Sequence, residues 1–129
     1  MADKVNISQI EHKHLAVSIT NLTASSSLVG EVTAVDGYTH ITGFAFSDVS
    51  SILNGIIVEQ GLQASDFPAG TPATSLVTIS TFTLSANDII TNNYAIQVVA
   101  PFARVIFING PVAQTTFRIV FEARILRGL

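Results

Sequence analysis

Three histidines are the first residues to weigh for chemistry. His12 and His14 lie two apart, so on a strand they project to the same side. Two imidazoles at that spacing chelate a divalent metal when a third ligand joins them. His40 completes such a site only if the fold brings it near. No acidic residue stands beside the pair in a ligand motif, so the histidines are read as a solvated pair. The carboxylates Asp48, Glu59, Asp66 and Asp88 fall in or beside loops. Two carboxyl groups at a suitable separation would hydrolyse a glycosidic bond. These four are scattered, without a supporting His, Tyr or Trp, and read as loop and turn residues. No serine or threonine near the histidines builds a nucleophile motif. The expectation is a protein that is not an enzyme, with no catalytic residues, no metal and no cofactor.

Arg104 is set in an apolar run, Phe102-Ala-Arg-Val-Ile-Phe107. It has two readings. One is an anchor to another subunit, since arginine is enriched at interfaces. The other is an outward side chain paired with Glu122 or with a backbone carbonyl across the sheet. The second is expected, because charged cross-strand pairs are ordinary in sheets. Arg118, Glu122 and Arg124 line one face of the last strand and read as a solvated stripe or a rim.

The elements that must position these residues are strands. From Thr115 on, Thr115, Phe117, Ile119, Phe121, Ala123 and Ile125 alternate with Thr116, Arg118, Val120, Glu122 and Arg124. Period-2 alternation of this kind marks a strand with one face on a core. Residues 101–108 form a second long strand, and Asn109-Gly110-Pro111 reads as a tight turn joining the two. Earlier, residues 14–22 alternate weakly, with Leu15, Val17 and Ile19 on one face. Residues 28–35 form a short strand closed by Asp36-Gly37, a turn signal. Residues 38–47 are a strong strand in which Gly43 suggests a bulge or a close backbone approach. Residues 52–60 are interrupted by Asn54-Gly55, a hairpin turn or a bulge. Residues 61–72 form a long loop, and residues 74–84 alternate again. The total is seven or eight strands at regular spacing with no helix after the first residues, which means an antiparallel sandwich or barrel. Residues 1–13 carry Asp3, Lys4, Glu11 and Lys13 and read as an N-terminal arm, ordered only against something else. Residues 14–129 are expected to be one β-sandwich domain.

Composition narrows the task. The chain has 129 residues, no cysteine and a net charge of -3. Disulfides and thiolate metal sites are excluded. The absence of a basic cluster argues against nucleic-acid binding. No apolar run is long enough to span a membrane as a helix, and the first residues lack a signal-peptide pattern. Synthesis in the cytoplasm is therefore expected. Charged residues make up only 12%, against about 25% in typical soluble domains. So sparsely charged a surface suits a chain whose sides are covered by other subunits, and a homo-oligomer is expected.

Three segments carry a resemblance. They are Tyr38-Thr-His-Ile-Thr-Gly-Phe-Ala-Phe-Ser-Asp48, Ile57-Val-Glu-Gln60 with the polar loop after it, and Val98 through Asn109-Gly110 with Ala113-Gln-Thr-Thr-Phe-Arg118. Their order and spacing resemble small β-sandwich virion proteins of tailed bacteriophages, the capsid decoration (cementing) proteins and related tail or baseplate modules. The likeness covers roughly residues 30–126 and is most specific from Pro101 to Phe117. After Glu59-Gln60 this chain departs from the pattern, because Gly61-Leu-Gln-Ala-Ser-Asp66-Phe67 replaces a serine, an Asp-Gly turn and an aromatic. The resemblance implies a jelly-roll-like sandwich, a homotrimer, a place in the virion, and binding to the major capsid protein or another virion protein. The function so implied is to stabilise a capsid mechanically and raise its thermostability, by burying area across joints between capsomers. Two further readings stand beside it. One is a subunit of an extracellular fibre or appendage that exchanges a strand through its arm. The other is a carbohydrate-binding module using the loop of residues 61–72; the lack of tryptophan, with only two tyrosines, weighs against that one.

Overall fold

A computed structural model describes residues 12–91 and 96–125. Ten strands run in the order β1 (His12–Ser18), β2 (Ser27–Val29), β3 (Thr33–Ala34), β4 (His40–Ser47), β5 (Ser51–Gly61), β6 (Val77–Phe82), β7 (Ile89–Thr91), β8 (Ile96–Gln97), β9 (Phe102–Asn109) and β10 (Phe117–Arg124). The first sheet has the order β1-β10-β4-β7, with β8 also on β4. The second has the order β2-β9-β5-β6, with β3 also on β9. All pairings are antiparallel. Taking β2 with β3 and β7 with β8 as interrupted single strands leaves eight strands, in sheet orders 1-8-3-6 and 2-7-4-5. Consecutive strands switch sheets at every step except the β5–β6 hairpin. This double Greek key is the jelly roll, the form the resemblance implied; the strand count by itself fits an immunoglobulin-like sandwich equally well.

The core lies between the sheets. Ile41 and Ala45 of β4, Ile56 and Val58 of β5, Ala103, Val105 and Phe107 of β9, and Phe117, Ile119, Phe121 and Ala123 of β10 are all buried there. Phe107 and Phe117 bridge the two sheets, with ring centroids 4.8 Å apart. Burying side chains of this size contributes about 1.5–3 kcal/mol each. The alternation of β10 is as expected from its sequence: its odd-numbered residues are buried, and Arg118 and Arg124 are exposed.

Three expectations are corrected. The stretch after Asn109 is no tight hairpin, because β9 and β10 belong to different sheets. The chain crosses the end of the sandwich instead. Gly110 passes so close to Ser50 that a Cβ would lie 2.5 Å from its carbonyl oxygen. The Asn109 side chain donates to the Thr23 and Val112 carbonyls. Second, the face of β1 changes phase. The register shifts between His14 and Ala16, so Leu15 and Ala16 are both buried while Val17 and Ile19 are 57% and 70% exposed. Third, residues 28–35 are two short strands, separated where the Gly30 amide donates to the Val105 carbonyl.

The two open readings of glycine resolve. Gly43 sits in unbroken register with Phe121, and the Phe121 ring occupies the space of its missing Cβ; it is a close approach. Asn54, at φ 56°, and Gly55 form a bulge within the continuous strand β5. Strand β1 takes in His12 and Lys13, the last two residues of the expected arm; residues 1–11 lie outside the described part.

Candidate functional site

Arg104 stands directly opposite Glu59 on the face of the second sheet that looks away from the core. It is buried there by the loop of residues 62–76, which folds back over β5 and β9. The guanidinium meets Glu59 Oε1 through Nη2 and Nε, both at 2.7 Å. It also donates to the carbonyls of Pro68 and Thr71, at 2.5 and 2.9 Å. The second Glu59 oxygen accepts the Ala73 amide at 2.5 Å. The Phe67 ring closes one side, its centroid 5.5 Å from the guanidinium carbon. Of the two partners expected for an outward Arg104, Glu122 is replaced by Glu59, and the backbone carbonyls are those of Pro68 and Thr71 in the covering loop rather than across the sheet. Glu122 is on the other sheet, and Arg104 is 2% exposed. The signal that sequence reading passed over is that Glu59 and Arg104 are opposite charges, each set alone in an apolar strand.

The next residue, Gln60, faces the other way. Its amide donates to the Gln97 carbonyl and accepts from the Val99 amide, fastening β5 to the segment around β8 in the opposite sheet. Glu59-Gln60 thus holds a loop on the outside and a sheet on the inside. At the far end of the sandwich Asp48 accepts the amides of Thr115 and Thr116 and the Thr115 hydroxyl. These donors, the hydroxyl first, lower its pKa from 3.8 to about 2. Gln114 is buried beside it, joined to the Leu22 backbone and the Ser47 hydroxyl. Asp66 lies at the end of a 3-10 turn, Ala64–Asp66. Asp88 is exposed in the loop before β7. The four loop carboxylates are not brought together, and two of them serve as backbone acceptors.

The outer face of the first sheet carries an apolar field between charged residues of β10. Val17, Val120 and Phe44 form one row across β1, β10 and β4. In the next row Arg118 stands beside Phe46, and Phe46 beside Ile89. Val17, Ile19 and Ile89 are more than half exposed, and Phe44, Phe46 and Val120 are half-buried without cover from any described segment. Arg118, Glu122 and Arg124 edge this patch and form the polar rim the sequence suggested.

Above the patch, on the same face, the histidines find a partner. His14 is opposite Glu122, and His12 is opposite Arg124. His12 Nδ1 and His14 Nε2 each lie 3.4 Å from Glu122 Oε2. His40 does not join them: it pairs with Arg124 from the far side of β10, and its ring contacts the Thr39 hydroxyl.

No protein-family model matches the chain, and no curated protein matches it. Among solved structures it is similar to the crystal structure of PBSX exported protein XepA, with a TM-score of 0.67 and 12% identity over 92% of this chain. The chain spans 38% of that protein's length. At this identity the likeness shows the shared fold.

Proposed function

We propose that this chain is a structural virion protein of the tailed-phage type, a jelly roll that associates with its own copies, as a trimer, and binds a capsid or another part of the particle. The observation that carries the reading is the apolar field of Val17, Phe44, Phe46, Val120 and Ile89 on the open face of the first sheet, rimmed by Arg118, Glu122 and Arg124. An apolar centre inside a polar rim is the anatomy of a protein interface. The motif resemblance to virion sandwiches and the fold shared with an exported protein of PBSX support the same reading. The activity is mechanical. A module that buries area on two neighbouring subunits makes their separation cost free energy, and a contact of standard size, roughly 1,600 Å², suffices. The test is co-sedimentation with particles assembled from the virion proteins encoded beside this chain. Binding that Val120→Lys abolishes supports the proposal; a chain that stays at the top of the gradient with every such particle refutes it.

A further inference from the structure

We infer that His12, His14 and Glu122 form a binding site for a divalent transition-metal ion, Zn²⁺ or a borderline ion of similar preference. Two imidazole nitrogens converge on one carboxylate oxygen, each at 3.4 Å, and the three candidate ligand atoms lie within 4.8 Å of one another. A tetrahedral ion with bonds of about 2.0–2.1 Å separates its ligand atoms by about 3.3–3.4 Å. The two imidazole–carboxylate distances have that spacing, and rotation of the exposed His12 and His14 rings brings their two nitrogens, within 4.8 Å of each other, to it as well. Mixed imidazole and carboxylate donors suit Zn²⁺, Ni²⁺ and Cu²⁺ rather than Ca²⁺ or Mg²⁺.

The strands fix the ligands. His12 and His14 project from the same face of β1, ahead of the Leu15–Ala16 bulge, and Glu122 is the cross-strand neighbour of His14 on β10. The other Glu122 oxygen, Oε1, is 3.6 Å from the Arg124 guanidinium. Arg124 orients the carboxylate from behind, as partners beyond the ligands of metal sites do, and leaves Oε2 free to face the imidazoles. Two ligands on the edge strand β1 and one on its inner neighbour β10 leave the fourth position to water. The site shares Glu122 and Arg124 with the rim of the proposed interface, but its argument and its test do not rest on that reading.

The test is titration of the full chain with ZnCl₂ by calorimetry, together with histidine ring resonances by NMR. The inference expects one equivalent to bind, with the His12 and His14 ring signals shifting and those of His40 unmoved. Removing a partner beyond the ligands typically weakens metal binding about 10–100-fold, so His14→Ala and Glu122→Gln, which remove ligands, should each weaken it at least about tenfold. His40→Ala should bind as wild type. A wild-type chain that takes up no zinc overturns the inference. So does binding that His14→Ala and Glu122→Gln leave unchanged, or that moves the His40 ring as much as the other two.

Discussion

Arg104 and Glu59 meet at 2.7 Å beneath a loop, with side chains only 3% and 0% exposed. The pair carries the loop with it, since Pro68, Thr71 and Ala73 all bond to these two side chains. Removing one partner strands the other charge in a dry site, which costs about 3–5 kcal/mol. Glu59→Gln and Arg104→Met are each expected to destabilise the chain by that amount in urea unfolding. The double variant should be less damaging than the sum of the two, because contacting pairs couple by about 0.5–3 kcal/mol. In all three variants the loop of residues 62–76 should become the first site of limited proteolysis.

Gly43 is set by the Phe121 ring, whose nearest atom would lie 2.2 Å from a Cβ there. Gly43→Ala should cost about 1–3 kcal/mol, the usual penalty for overpacking a core. Phe121→Leu in the same chain should recover part of the loss caused by the alanine. Thermal unfolding of the single and the double variant beside wild type measures both effects.

Asp48 gives the fold an acid-sensitive joint. Its folded pKa, about 2, lies below the ordinary aspartate value of 3.8, so the folded state favours the carboxylate. The stabilisation is complete above about pH 4 and is lost as the pH falls toward 2. Asp48→Asn should therefore lower the melting temperature at pH 7, and the gap between variant and wild type should narrow between pH 4 and pH 2. A gap of constant size across that window would contradict this role.

What the sequence disclosed follows from which forces leave a local mark. The faces of β10 were legible because one side of that strand is core and the other is not. The phase of β1 was not, because the bulge at Leu15 and Ala16 adds a residue without any glycine to signal it. Asn109-Gly110-Pro111 reads as a hairpin because alternation says which face is buried and nothing about which sheet a strand joins. Glu59 is invisible as the partner of Arg104 for the same reason: it becomes a neighbour only through the pairing of β5 with β9. Of the histidine cluster, the His12–His14 spacing was visible; Glu122, more than a hundred residues later in the chain, was named only as part of a solvated stripe.

The most direct measurement on the central claim is the mass of the chain in solution by light scattering, for wild type and Val120→Lys, up to the solubility limit. The account predicts a discrete wild-type oligomer, a trimer, and a monomer for the variant that still unfolds cooperatively, with a melting temperature that no longer depends on protein concentration. A wild-type chain that stays monomeric throughout, or a Val120→Lys chain that assembles as the wild type does, would contradict it.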